Sequence, residues 1–207
     1  AFGGMDQYVA WAGGAHHSDF YTDPVIRGWY KDWIAHLLNR VNTVTGIAYK
    51  DDPTIMAWEL ANEPRCVGSG QFPKDPACSV ATLTPWVDEM STFVKSIDSR
   101  HLVGAGDEGF LNIPGVTGDW TRDGSDGVDS QAFASIANID YISYHLSPAT
   151  LGNPLYCAPP SLAHHSTPSL QSHQPFPLRR SGSAAPPTPN PTPTCCCSAP
   201  SPSACSR

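Results

Sequence analysis

Acidic residues stop at Asp140, and the final stretch, residues 147–207, contains no Lys either. The whole chain has 12 Lys and Arg against 19 Asp and Glu, a formal net charge of −7. A surface with so few cations does not suit the phosphates of nucleic acids or anionic lipids. No apolar run approaches the roughly 18 residues that a membrane-spanning helix needs. We therefore expect neither nucleic acid nor membrane among the partners.

Cysteine is scarce before the tail, where only Cys66 and Cys78 occur among residues 1–146. The cysteines lack the paired C-x-x-C spacing of a zinc site, so we expect no metal and no other cofactor. A disulfide between Cys66 and Cys78 is favoured instead, which points to a secreted, extracellular protein. The chain opens at Ala1 without a recognisable signal peptide, and we expect that upstream sequence is missing.

Residues 24–46 carry apolar side chains at every third or fourth position, the period of an amphipathic helix. Asp23 or Thr22 is suited to cap its start, and a glycine closes it. Trp29 and Trp33 lie on the apolar stripe of this helix. We expect both tryptophans in the core.

A second helix is predicted over residues 83–98, "LTPWVDEMSTFVKSID". Thr84 is the expected cap, with Pro85 in the first turn, where a missing N–H costs nothing. A weaker helical pattern covers residues 130–138, "SQAFASIAN". The chain thus alternates between helices and the strands described next.

Three short apolar runs, residues 54–60, 101–110 and 139–146, are predicted as buried strands. Strands that alternate with helices form a parallel sheet covered by helices. Functional side chains of such folds gather at the carboxyl ends of the strands. The polar residues at these three ends are Asn62, Glu63, Asp107, Glu108 and His145.

After Leu146 the composition changes, so we divide the chain into a folded domain, residues 1–146, and a low-complexity tail, residues 147–207. The tail holds 14 of the 21 prolines and shows no apolar periodicity, which predicts irregular or disordered chain. One interpretation is a Ser/Thr/Pro-rich, O-glycosylated linker. We favour a second, a departure from the true reading frame or splice pattern near Leu146, because linkers rarely carry three consecutive cysteines.

The stretch "MAWELANEPRC" places two glutamates in and after an apolar run. Glu59 lies inside the run and is expected to be a buried structural carboxylate. Pro64 ends the strand, so Glu63 should lie at the rim of the sheet. We expect partial burial to raise the pKa of Glu63, which makes it a candidate general acid. Asn62 beside it suits a sugar hydroxyl, and this combination is typical of glycoside hydrolysis.

Five segments extend this pattern: "FGGMDQYVAW", "DFYTDPVIRGWYKDW", "PTIMAWELANEPRC", "HLVGAGDEGF" and "IDYISYHL". Together they resemble the secreted fungal endo-β-1,4-mannanases of glycoside hydrolase family five, over about residues 1–146. The resemblance implies an α/β fold, a partial (β/α)₈ TIM barrel comprising roughly strands four to six with their helices. It also implies a monomer that hydrolyses internal β-1,4-mannosidic bonds of β-mannan polysaccharides or manno-oligosaccharides, with retention of configuration.

The resemblance also implies roles for individual residues. Glu63 matches the catalytic acid/base of the family, and Asn62 matches the amide that contacts the sugar at the cleavage site. His145 matches the histidine that ends the sixth strand. Arg65 and Glu108 match residues that line the leaving-group side of the cleft.

Two departures from the family pattern bear on activity. Ser147 stands where the family has a tyrosine, and no acidic residue follows Asp140 to serve as the nucleophilic glutamate. A retaining mechanism needs two carboxyl groups about 5–5.5 Å apart. We therefore expect the chain as given to have an incomplete active site and no activity. A non-catalytic carbohydrate-binding remnant and a β-glucanase of the same family remain the alternatives.

Overall fold

The computed structural model describes residues 4–145, which form a small α/β assembly of five α-helices, one 3₁₀ turn (Tyr49–Asp51) and two strands. Leu146, Ser147, the predicted tail and its five cysteines lie outside the described residues. In chain order the elements are α1 (Met5–Ala12), α2 (Asp19–Thr22), α3 (Pro24–Asn39), β1 (Ala57–Glu59), α4 (Val80–Ile97), β2 (Leu102–Gly104) and α5 (Ser130–Ala134).

The two strands are short and parallel, and α4 connects them. Trp58 lies opposite Val103 in the register, and Gly104 forms an isolated parallel bridge to Tyr141 on its other side. The predicted parallel arrangement is therefore present, but each strand is shorter than the apolar run suggested. Residues 139–145 contribute only that bridge instead of a full strand.

The predicted helices form, with corrected boundaries. Asp23 caps α3 by accepting hydrogen bonds from the backbone N–H groups of Val25 and Ile26, and this helix ends at Asn39, earlier than expected. The prediction of Thr84 as the cap of α4 is wrong. Ser79 caps α4 in a reciprocal pair with Thr82, so Pro85 lies inside the helix. A capping box satisfies two orphan donors and fixes the helix start one turn earlier.

Helices α2, α3 and α4 pack around a core that α1 and β2 complete. The apolar side chains with almost no exposed surface include Val9, Phe20, Ile26, Leu38, Leu83, Trp86, Val87, Met90, Val103 and Phe133. Their burial holds α4 against β2 and thereby helps to order the end of that strand, since apolar burial contributes about 25 cal/mol per Å².

Two residues of α3 depart from the predicted core. Trp29 is 39% exposed and Trp33 is 50% exposed. Both belong to the apolar stripe, but no element of the described residues covers that part of the helix. The helices of this part of the chain also include none long and apolar enough to cross a membrane.

Candidate active site

The ends of β1 and β2 approach each other closely just beyond the paired residues. The backbone N–H of Glu63 donates to the carbonyl oxygen of Gly106 over 2.9 Å. Gly106 has a φ of +78°, and a Cβ atom there would lie 1.8 Å from the carbonyl oxygen of Ala61. Only glycine therefore permits this approach, which brings the segment that carries Glu63 next to the segment that carries Glu108.

The backbone of Glu63 adopts a left-handed conformation, with a φ of 53°. Residues other than glycine rarely adopt this backbone conformation, and those that do cluster at functional sites. The turn is followed by the buried Pro64. The chain therefore leaves the strand abruptly and presents the Glu63 carboxylate, whose side chain is 36% exposed, at the rim of the sheet.

The Glu63 carboxylate lies between two nitrogen donors. Its Oε1 is 2.9 Å from Nδ1 of His145, and its Oε2 is 3.1 Å from Nη2 of Arg65. The hydrogen bond from His145 is the main cause that lowers the pKa of Glu63, and the Arg65 charge adds to it. The expectation of a raised pKa is therefore wrong, because these donors outweigh the partial burial. Glu63 in turn raises the pKa of His145.

The Arg65 side chain contacts three carboxylates and two aromatic rings. Besides Glu63, its Nη2 is 2.5 Å from Oε1 of Glu108, and its Nη1 is 3.7 Å from Oδ2 of Asp126. The guanidinium carbon lies 5.4 Å from the ring centre of Phe110 and 5.8 Å from that of Trp120. These acidic and aromatic contacts hold the planar guanidinium in one orientation.

The backbone around Arg65 is also anchored. The Tyr21 hydroxyl accepts from the Arg65 N–H over 3.1 Å and lies 3.2 Å from its carbonyl oxygen. The next residue, Cys66, donates its N–H to the carbonyl oxygen of Asp126 and forms a disulfide with Cys78. The segment that carries Arg65 is thus tied to α2, to the loop before α5 and to the start of α4.

Glu108 is almost fully buried, with 2% of its side chain exposed. Its Oε2 has no hydrogen-bond partner within residues 4–145. Burial raises the pKa of Glu108 to about 7, although the Arg65 charge opposes this rise. The backbone carbonyl of Glu108 accepts from the N–H of His145, which brings the last described segment into the site.

Asp107, beside Glu108, serves the fold. Its carboxylate accepts hydrogen bonds from the Ser130 hydroxyl and the Gly109 N–H, and its backbone carbonyl accepts from the Ser143 hydroxyl. Burial raises the pKa of Asp107. These contacts join the end of β2 to α5 and to the segment that delivers His145.

The remaining predicted residues take different positions. Asn62 is exposed and lines an open cavity of about 640 Å³ together with Glu63 and Arg65. Glu59, expected to be buried, is exposed and accepts a hydrogen bond from the Tyr141 hydroxyl. Among the described residues, no element covers the face of β1 that carries Glu59, so this side chain reaches solvent. In this part of the chain, no group of three or more His, Cys, Asp or Glu side chains could hold a metal ion.

The structure therefore brings together Glu63, Arg65, Glu108 and His145, with Asn62 on the adjoining cavity wall. Sequence reasoning did not find Tyr21, Phe110 or the ionic role of Asp126. Asp126 lies in a turn-like "DGSDG" stretch, and no local signal links such a turn to an arginine 61 positions away. An acidic carboxyl between two cationic donors, beside an open cavity, can exchange a proton with a bound molecule.

A sequence model of the family described as "GH family 5 beta-mannosidase-like" matches residues 2–154. Among curated proteins, the chain is 42% identical over 150 residues to "Probable mannan endo-1,4-beta-mannosidase C" of Aspergillus terreus, covering 71% of this chain and 34% of the relative. It is 51% identical over 114 residues to "Mannan endo-1,4-beta-mannosidase 4" of rice, Oryza sativa subsp. japonica, covering 53% and 23%.

Solved structures of endo-1,4-beta-mannanases are also similar to this chain. The fold is similar to the crystal structure of the endo-1,4-beta-mannanase from Rhizomucor miehei, with a TM-score of 0.71, 49% identity, and coverage of 73% of this chain and 42% of that chain. For the endo-1,4-beta-D-mannanase from Thermotoga petrophila RKU-1 the TM-score is 0.65 and the identity 46%, with coverage of 72% and 42%. The chain spans about a third of the length of the first curated relative. Mannanases of this family are (β/α)₈ barrels, and the described residues correspond to part of one.

Proposed function

Because the chain belongs to the GH family 5 beta-mannosidase-like family, we propose that it supplies the acid/base half of a retaining endo-β-1,4-mannanase site. The position of Glu63 supports this role most directly. It is held between His145 and Arg65 at the carboxyl ends of parallel strands, where barrel enzymes place their chemistry. The strands correspond to the fourth, fifth and sixth of the barrel in this proposal.

Glu63 acts twice in the proposed reaction. In the first step, it gives its proton to the departing glycosidic oxygen while a second glutamate attacks the anomeric carbon, so one glycosidic bond breaks and one ester bond forms. In the second step, the Glu63 carboxylate takes a proton from water, whose oxygen replaces the ester. Glu63 regains the proton that it lost, and the anomeric configuration is retained.

The lowered pKa of Glu63 fits the second step in the open cleft, since an ionised carboxylate is the form that accepts a proton. The first step requires the protonated form. A sugar that displaces water from the cavity would bury the carboxylate and raise its pKa, because desolvation disfavours charge. Substrate binding therefore prepares Glu63 for its role as an acid.

The substrate proposed is a β-mannan polysaccharide or a manno-oligosaccharide. Asn62 offers a donor and an acceptor from the cavity wall. Arg65 offers a charged group to sugar hydroxyls on the leaving-group side, whereas Glu108, with 2% of its side chain exposed, is proposed to act there through Arg65. The nearby Trp120, which is 37% exposed, supplies apolar surface of the kind on which sugar rings stack, and the buried Phe110 packs against it.

The 207-residue polypeptide is proposed to bind such sugars without hydrolysing them. No acidic residue follows Asp140, so this polypeptide lacks a carboxylate at the position where the family has its nucleophile. This also makes a non-catalytic carbohydrate binder the second candidate function. We further propose a secreted, extracellular, monomeric protein, in line with the disulfide between Cys66 and Cys78, and a domain boundary near residue 146.

The test measures reducing ends released from β-mannan and, separately, the binding of mannohexaose by calorimetry. We expect no release, and binding that Arg65→Ala weakens at least tenfold. Arg100→Ala is the matched control, because Arg100 pairs with Asp51 on the surface away from the site. Release of reducing ends would contradict the absence of turnover. A folded chain that binds cellohexaose but shows no binding of mannohexaose would favour the β-glucanase alternative.

A further inference from the structure

A single nitrogen of Arg65 faces two carboxylates. Its Nη2 lies 3.1 Å from Oε2 of Glu63 and 2.5 Å from Oε1 of Glu108. One guanidinium charge can neutralise only one carboxylate charge. The two carboxyl groups therefore compete for Arg65, and ionisation of either one favours the protonated form of the other.

The two carboxyls differ in their surroundings. The Glu63 side chain is 36% exposed and also bonded to His145, whereas the Glu108 side chain is 2% exposed. Glu108 Oε2 is buried and has no hydrogen-bond partner among residues 4–145. Burial therefore raises the pKa of Glu108 to about 7, while the pKa of Glu63 is lowered. Near neutral pH, Glu108 is the carboxyl that changes its charge.

We propose that Glu108 is a positioning residue that controls, through Arg65, how strongly Glu63 holds a proton. When Glu108 is protonated, Arg65 is left to Glu63 and favours the ionised form that acts as a base. When Glu108 is ionised, it draws Arg65 away and adds a negative charge nearby. Glu63 then holds a proton more strongly, as an acid must. This role rests on the proposed function of Glu63.

Other charged and titratable groups surround the pair, and Arg65 is the one that contacts both carboxyls within the described part of the chain. His145 contacts Glu63 with its ring and Glu108 with its backbone N–H. The charged groups that act on the Glu108 carboxyl are Glu63 and Arg65, beyond the end of β1, and His145 of the last described segment. Tyr21 of α2 also lies near Glu108. Asp126, from the loop before α5, reaches the pair through Arg65, and the Asp107 carboxylate is bonded to Ser130 and Gly109 instead.

The chain contains only four glutamates, Glu59, Glu63, Glu89 and Glu108, so each carboxyl can be followed separately. The experiment labels the glutamate carboxyl carbons with ¹³C in the full 207-residue chain and records their NMR signals from pH 3 to pH 9. Single glutamate-to-glutamine variants assign the four signals. In the unsubstituted chain, the Glu63 signal should show a second, smaller step at the pH where Glu108 titrates.

Glu63→Gln should lower the pKa of Glu108 by about one unit, because Glu63 no longer competes with Glu108 for Arg65 and no longer repels its charge. The matched control, Glu59→Gln, removes an exposed glutamate of β1 and should leave the Glu108 titration unchanged. In an Arg65→Gln background, the effect of Glu63→Gln should fall to less than half.

An equal effect with and without Arg65 would overturn the proposal. So would a single-step Glu63 titration in the unsubstituted chain, a measurement that depends on no variant. These titrations do not depend on the cleavage of mannan. The reducing-end and calorimetric tests therefore decide the proposed function separately.

Discussion

His145 and Glu63 lie 82 positions apart in the chain, yet Nδ1 of His145 is 2.9 Å from Oε1 of Glu63. Each side chain favours the charged form of the other: the pKa of His145 is raised and that of Glu63 is lowered, each chiefly by this hydrogen bond. The pair joins the end of β1 to the last described segment, across the end of β2. It also sets the protonation state of the proposed acid/base.

Removal of the Glu63 charge should therefore lower the pKa of His145. We expect Glu63→Gln to lower it, since the hydrogen-bonded Glu63 carboxylate is the main group that favours the imidazolium form of His145. The measurement is an NMR titration of the histidine ring protons, with the His145 signal assigned by His145→Gln. Glu89→Gln is the control, because Glu89 pairs with Arg27 and Lys31 instead. A His145 titration that is the same in the unsubstituted protein, Glu63→Gln and Glu89→Gln would contradict the pairing.

The burial of Glu108 should make stability depend on pH. The unfolded chain loses the Glu108 proton near 4.5 and the folded chain near 7, so the folded state binds more protons between these values. The free energy of unfolding therefore falls as pH rises from 4.5 to 7, by about 3 kcal/mol from this carboxyl. Urea unfolding at a series of pH values measures the slope.

Glu108→Gln should flatten that slope, whatever it does to stability at any one pH. Glu59→Gln, a change at an exposed glutamate, should keep the slope of the unsubstituted protein. If Glu108→Gln and the unsubstituted protein lose the same free energy between pH 4.5 and 7, Glu108 ionises normally in the folded state and its assigned burial is wrong.

The close approach at Gly106 predicts an intolerant position. In Gly106→Ala, the new Cβ would lie 1.8 Å from the carbonyl oxygen of Ala61, at a φ of +78°. We expect a loss of more than about 3 kcal/mol in the free energy of unfolding, because backbone must move to relieve the overlap. Thermal and urea unfolding measure this loss.

Gly28→Ala is the matched control, since Gly28 lies in α3 with nothing within 4 Å of the added Cβ. This change should stabilise the protein by about 0.4 to 1 kcal/mol, as the unfolded chain loses freedom and the helix gains propensity. Equal effects of the two substitutions would argue against the tight contact at Gly106.

The disulfide between Cys66 and Cys78 should stabilise the segment that carries Arg65. It closes a loop with a sequence separation of 12, for which the chain-entropy estimate is about 3 kcal/mol. The double variant Cys66→Ala with Cys78→Ala should lose about this amount in urea unfolding. Addition of a reductant should destabilise the unsubstituted protein similarly and leave the double variant unchanged. Equal sensitivity of both proteins to the reductant would place the effect at other cysteines.

The sequence predicts much of this fold, because its signals are local. The cap at Asp23 is readable from residue type and spacing, as is the apolar period of α3 and α4. The start of α4 is not readable in this way, because the local signals of Pro85, which suits a first turn, and Thr84, which suits a cap, point to a later start than the observed one. The tertiary packing of α4 and the reciprocal bond of Ser79 with Thr82 instead extend the helix by a turn.

The pKa of Glu63 shows where such prediction stops. Partial burial suggested a raised value, but the direction depends on two donors from positions 65 and 145, and their distances come from the fold. The exposure of Trp33 has a similar cause. An apolar stripe indicates which side of a helix can be buried, but not whether another element covers its full width.

The left-handed backbone of Glu63 has a practical consequence for crystallographic studies of a sugar bound in this cleft. The main chain, through its bond to Gly106, aims the side chain at position 63 before any rotamer is chosen. A neutral amide of the same length should therefore point the same way. The Glu63→Gln variant should keep the shape of the cleft but lose the side chain that exchanges a proton. Crystals of that variant soaked in mannohexaose should show the sugar in the same place as in the unsubstituted chain, which is itself expected not to cleave it.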